Sequence, residues 1–173
     1  FGLLFLGMQT MESAMSFLQG RKDLFLLFGR SPLLGVLVGT LVTMVVQASS
    51  ATIGLTIAMA SQGLLSLDAA IPILLGDNIG TTITAVISSL GPNRSAKQAA
   101  AAPVMFNLIG VFIFVLFLPI FKAAVVLTSS EIARQLANAH TLFNVVNTLL
   151  FLPFTSPFVK VIQKMVPTKD NGI

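Results

Sequence analysis

The chain has 173 residues, of which 55% are hydrophobic and only 9% charged, against about 25% charged in an average soluble domain; its mean hydropathy is +0.93. A water-soluble fold of this length cannot hide so much apolar surface, so the composition excludes a soluble globular domain and predicts an all-α polytopic membrane protein, a single membrane domain over residues 1–173. The net charge of +4 comes from Lys and Arg lying between and after the apolar windows, where lipid headgroups meet them; this points to the bilayer as partner and argues against nucleic acid.

Phe1 already lies in an apolar stretch with no basic region before it, which predicts the interior of a longer protein or a first span rather than a signal peptide. Residues 1–18 read as a transmembrane helix with Gln9, Glu12, Ser13 and Ser16 along one side. A polar stripe in a membrane helix faces protein or a cavity, so Glu12 is a candidate for the solute cavity; placement near the headgroups is the alternative.

Ser31-Pro32 then opens a helix, with proline in its first turn. From Pro32 to Gly63 the sequence is uncharged but holds the polar cluster Gln47-Ala48-Ser49-Ser50-Ala51-Thr52 at its middle. The arms on either side are too short to cross about 30 Å of hydrocarbon. Residues 32–63 therefore read as a re-entrant hairpin whose tip lies near mid-membrane, packed in protein or facing water. Gly35, Gly39 and Thr40 equip the first arm for close helix packing.

Residues 67–90 have the length of one span, but Gly76-Asp77-Asn78-Ile79-Gly80-Thr81-Thr82 falls in the centre. Two glycines and a carboxylate there predict a broken transmembrane helix, followed by a polar face of Thr81, Thr84 and Ser88. Spans over 98–118 and 132–154 follow, each with a Phe-Asn pair, Phe106-Asn107 and Phe143-Asn144. Asn107 and the strip of His140, Asn144 and Asn147 suit hydrogen bonding between helices, and His140 is also a candidate pH sensor. Residues 156–166, with Lys160 and Lys164, read as an interfacial helix. Basic residues divide equally between the two sides of this layout, so charge gives no orientation.

The chain has no Cys and a single His, and it lacks phosphate-loop, zinc-protease and serine-hydrolase motifs, which argues against an enzyme. What remains is two polar interruptions at membrane depth. Free N–H groups at the start of a half-helix attract an anion, while exposed carbonyls and Ser, Thr or Asn oxygens suit sodium. The simpler role for the same side chains is to cap half-helices or to bond neighbouring helices.

Together the two motifs resemble the paired Gln-Ser-Ser-Ser and Gly-x-Asn-Ile-Gly-Thr-Thr signatures of the type II sodium/phosphate cotransporter family. Phe5-Leu6-Gly7-Met8, the two Phe-Asn helices and Ala137-Asn138-Ala139-His140-Thr141-Leu142-Phe143-Asn144 are similar too. The resemblance implies one half, most like the C-terminal one, of an inverted-repeat carrier in the plasma (inner) membrane. Its activity would be sodium-coupled transport of inorganic phosphate, with Na+ as the coupling ion and no other cofactor. Carried over by position, Gln47, Ser49, Ser50, Thr52, Asn78, Thr81, Thr82 and Thr84 contact phosphate or sodium, with Ser50, Asn78 and Thr81 as sodium ligands. The complementary repeat comes from the same protein, another chain, or a second copy of this one as a homodimer. Ala48 and Asp77 depart from the pattern: the first removes a hydroxyl, and the second adds a carboxylate that either binds a cation or repels phosphate. The residues alone leave open a carrier of another oxyanion, a channel-like pore and a non-transporting scaffold.

Overall fold

The computed structural model describes residues 1–15, 31–91 and 93–167. Among them all regular structure is helical: α1 (Gly2–Met15), α2 (Pro32–Val46), α3 (Ser49–Ser61), α4 (Leu67–Gly80), α5 (Ile83–Ser88), α6 (Arg94–Leu116), α7 (Leu118–Val126), α8 (Ile132–Phe151), a 3-10 turn (Leu152–Phe154) and α9 (Thr155–Met165). Residues 16–18 of the first expected span lie outside the described residues. Among the described residues three stretches are long and apolar enough to cross a bilayer: Leu67–Ser88, Arg94–Leu116 and Ile132–Met165.

Local chemistry sets the helix starts. Ser31 is extended at the N-cap of α2 and accepts from the Leu34 N–H, with Pro32 in the first turn where its missing N–H costs nothing. Ser66 caps α4 through the Ala69 N–H. Asn93 caps α6 through the N–H groups of Ser95 and Ala96, which starts that helix at Arg94 and not at residue 98. The same helix ends at Leu116, short of the expected 118: Pro119 has no N–H to continue the ladder to the Val115 carbonyl and its ring crowds that carbonyl, so Phe117 leaves helical angles and α7 starts afresh at Leu118 with the proline in its first turn. Pro153 likewise ends α8 in a 3-10 turn.

The central helix is α4, whose residues from Ala69 to Asn78 are all buried. Against it lies α2, running parallel: a Cβ added to Gly35 would meet Pro72, one on Gly39 the Ile73 backbone, one on Gly76 the Val36 carbonyl, and one on Gly80 the Thr40 carbonyl and Thr43. The small stripe Gly35, Gly39, Thr43 thus interlocks with Pro72, Gly76, Gly80, both spaced four apart, so the backbones touch. Thr40 Oγ1 donates to the Gly76 carbonyl at 3.0 Å across this seam.

Elsewhere large side chains make the contact. Phe114 meets Phe121 and Phe143 edge-on, each with ring centroids 4.8 Å apart, and α6 and α8 run antiparallel, with Phe106 tilted against Phe151 at 4.9 Å. At one end of the bundle Lys122 Nζ lies 2.5 Å from Asp68. At the other end Gln98 donates to the Val166 carbonyl at 2.7 Å, and Arg94 to that of Pro167.

Candidate functional site

The first polar cluster breaks the chain where the sequence predicts. α2 ends at Val46, and Gln47 takes a left-handed conformation, φ 55°, while its N–H bonds back to the Thr43 carbonyl. Gln47 is the one non-glycine residue with positive φ among those described, a conformation that costs about 1 kcal/mol or more outside glycine. Ala48 is the extended N-cap of α3 and has no side chain to cap it, so the N–H groups of Ser49 and Ser50 stand at a helix start without a side-chain acceptor. Gln47 and Ser50 are exposed, Ser49 is half-buried and Thr52 is buried. The Thr52 hydroxyl bonds back to the Ala48 carbonyl at 3.4 Å, and Thr56 bonds to the Thr52 carbonyl at 2.9 Å. Beside these threonines, Val38, Val42, Leu55, Met59, Leu65 and Ile73 complete a cavity of about 260 Å³, too apolar to hold an oxyanion.

The second cluster corrects the expectation. The helix runs unbroken through Gly76, Asp77 and Asn78 to Gly80, and the interruption is confined to Thr81 and Thr82, both still near right-handed helical angles, before α5 begins. The glycines do not break the helix; they admit α2. The hydroxyls satisfy the junction locally: Thr81 donates to the Asn78 carbonyl, Thr82 to that of Ile79, Thr84 to that of Thr81 and Ser88 to that of Thr84. Asn78 is buried, and its amide donates to the Leu74 carbonyl at 2.9 Å. Thr82 is buried, Thr81 half-buried and Thr84 exposed. No hydrogen bond links this cluster to Ser49 or Ser50 among the described residues. The Glu12 side chain lies outside the described residues.

What the fold does bring together is a polar line through three helices that sequence reasoning did not assemble. Asp77 is 0% exposed. Its Oδ1 accepts from Thr43 Oγ1 of α2 at 2.8 Å, and its Oδ2 faces His140 Nε2 of α8 at 4.0 Å. Asn144 continues the line, its amide nitrogen 3.3 Å from His140 Nε2 and 2.9 Å from the His140 carbonyl. The sequence did carry a signal for Thr43: it follows Gly35 and Gly39 at a spacing of four, on the stripe that meets α4. Asn147 is fully buried; it donates to the Phe106 carbonyl at 3.4 Å and packs on Gly110, so it, rather than Asn107, bonds α8 to α6.

Membrane-length helices, a polar helix break and an ionisable line buried between helices define a helical membrane protein with polar machinery in its interior. Comparison with known proteins gives the family. The family model described as Na+/Pi-cotransporter matches residues 3–151, and the chain belongs to that family. It is 33% identical over 134 residues to the uncharacterized protein YqeW of Bacillus subtilis (strain 168), an alignment covering 78% of this chain and 44% of that protein. It is 40% identical over 89 residues to the human sodium-dependent phosphate transport protein 2B, covering 48% of this chain and 13% of that protein. The rat sodium-dependent phosphate transport protein 2A is 38% identical over 89 residues, 48% of this chain and 14% of that protein. The chain therefore spans less than half the length of these relatives. No solved structure matches it.

Proposed function

We propose that this chain forms one of the two repeats of a sodium-coupled phosphate carrier in the plasma (inner) membrane, with its solute site at the Gln47–Ala48 break and the Thr81–Thr82 junction. The observation that carries this reading is the uncapped start of α3. There a partial positive charge and free N–H groups of Ser49 and Ser50 meet no side-chain acceptor, which is the chemistry an oxyanion seeks. Membership of the Na+/Pi-cotransporter family supports sodium as the coupling ion and phosphate as the anion.

Geometry supports a re-entrant reading of α2 and α3. α2 has 15 residues and α3 has 13, about 22 and 20 Å at 1.5 Å per residue, each short of about 30 Å of hydrocarbon. α2 starts beside the beginning of α4 and ends beside Gly80, while α5 continues for six more residues, about 9 Å further. The tip thus stops at the level of the second junction, short of the end that α5 reaches. Gln47, Ser49, Ser50 and Thr52 line the site from the tip, and Asn78, Thr81, Thr82 and Thr84 from the junction; Ser50, Asn78 and Thr81 offer oxygens to sodium. The junction hydroxyls are engaged with carbonyls of their own helix, so solute binding exchanges those local bonds for new ones. α9 lies along the membrane surface. A complementary repeat, from the rest of the protein or from a second copy of this chain, closes the site, and movement of one repeat against the other gives alternating access.

Uptake of radiolabelled phosphate into liposomes reconstituted with this chain tests the reading. The expected result is saturable uptake that needs an inward sodium gradient and is abolished by Ser50→Leu or Asn78→Leu while both variants still insert. Uptake that neither saturates nor depends on sodium would make the chain a pore. No uptake by inserted wild-type protein, alone or with its complementary repeat, would make it a scaffold.

A further inference from the structure

The two ends of the bundle carry charge differently. At the end where α4 begins, the charges of the described residues cancel: Lys122 pairs with Asp68, and Arg134 stands one turn after Glu131, the N-cap of α8. At the other end α6 opens with Arg94 and Lys97, with no acidic residue in its first turn, and α9 brings Lys160 and Lys164. Of the carboxylates whose side chains are described, none lies there: Asp68 and Glu131 belong to the opposite end, and Asp77 is buried within α4. Lys169 and Asp170, which follow α9, lie outside the described residues.

Two hydrogen bonds from α6 hold the end of α9 at this place: Gln98 donates to the Val166 carbonyl at 2.7 Å, and Arg94 to that of Pro167. Ile162 is buried against the bundle, whereas Lys160 and Lys164, one turn apart, are exposed on the opposite side of the helix. Beside the lysines Val161 and Met165 leave an apolar face exposed. Lys97 is exposed too, and among the described residues Lys97, Lys160 and Lys164 make no hydrogen bond or ion pair. Cations gathered without a counter-charge repel one another, and Arg94 and Lys97 also sit where a helix end favours acids. An anion from outside the described residues relieves both.

A bilayer supplies anions at this level. α6 is long and apolar enough to cross the hydrocarbon, so its first turn stands at the headgroups. α9 beside it sets bases next to exposed apolar side chains, the pattern of a helix seated among anionic lipids. We propose that Arg94, Lys97, Lys160 and Lys164 form a docking surface for the phosphate-bearing headgroups of anionic phospholipids. This goes beyond the transport reading and does not depend on it, since none of the four residues belongs to the solute site.

Thermal unfolding of the chain in neutral detergent and phosphate-free buffer, followed by circular dichroism, tests the surface. Phosphatidylglycerol should raise the midpoint by about 3 °C or more over the same amount of phosphatidylcholine, and about 0.5 M sodium chloride should shrink that difference. The double variant Lys160→Gln/Lys164→Gln should lose most of it. Lys160→Arg/Lys164→Arg, which keeps the charge, should retain it, as should Arg134→Gln at the opposite end. Native mass spectrometry of the same samples counts bound phosphatidylglycerol, whose apparent affinity should fall roughly fivefold for each lysine made neutral. Equal stabilisation by the two lipids, or a full phosphatidylglycerol effect in the neutral double variant, would overturn the proposal. Inorganic phosphate added in place of lipid decides the source of the anion. If it gives the same rise and the neutral double variant removes that rise, the surface takes free anions and the lipid assignment falls.

Discussion

The seam between α2 and α4 and the seam between α6 and α8 join helices by opposite means. In the first, glycine stripes bring backbone onto backbone, and any Cβ added at Gly39 or Gly76 would overlap a carbonyl. In the second, close approach is confined to Gly110 against Asn147; beyond it rings and branched side chains make the contact, and Phe114, Phe117, Phe121, Leu142, Val146 and Leu150 line an open, entirely apolar groove of about 320 Å³. A backbone seam has no rotamers with which to absorb sliding, whereas rings beside a groove can repack. The α2–α4 pair, which carries the Thr43–Asp77 hydrogen bond, therefore behaves as one rigid unit, and the compliance of the chain lies between α6 and α8.

This contrast fails most visibly at Gly39. Gly39→Leu forces a side chain into the Ile73 backbone and should cost about 3 kcal/mol or more, seen as loss of monodisperse protein after detergent extraction; normal yield would show that the seam can open. Thr43→Val keeps the shape of the seam but strips the Asp77 carboxylate of its only side-chain hydrogen bond among the described residues. It should lower stability by about 2 kcal/mol, read as a lower melting midpoint. On the ring side, Phe143→Leu should cost only about 1–1.5 kcal/mol, because the neighbouring groove lets Phe114 resettle; a larger loss would mean that this seam is as unyielding as the first. Asn147→Leu should change stability by less than about 1 kcal/mol. Its one hydrogen bond is long at 3.4 Å, and its Oδ1 is already without a partner.

The same contrast explains what was legible in the sequence. The break at Gln47–Ala48 could be read because six small or polar residues in an apolar run stand out, and helices end at Val46 and start at Ser49 on either side of it. Asp77 stood out as a charge in mid-span. Its partners did not, since a lone Thr43 among apolar residues gains meaning only once α2 is known to lie parallel to α4, and His140 is 63 positions away in the chain. The second break was misplaced because glycine has two roles that sequence does not separate, loosening a helix and admitting a neighbour. Gly76 and Gly80 play the second, and their spacing matches that of Gly35 and Gly39. The caps at Ser66 and Asn93 set helix starts that hydrophobicity alone left uncertain by a few residues.

The proposed carrier reading requires above all that sodium or phosphate reach the Gln47–Ala48 break. Because the chain has no cysteine, Ser50→Cys gives a single thiol at the tip, and its rate of labelling by a water-soluble maleimide reports what reaches it. Labelling should proceed in sodium-free buffer and slow when sodium and phosphate are present together. A rate that neither solute alters, in protein that still transports phosphate, would contradict the assignment.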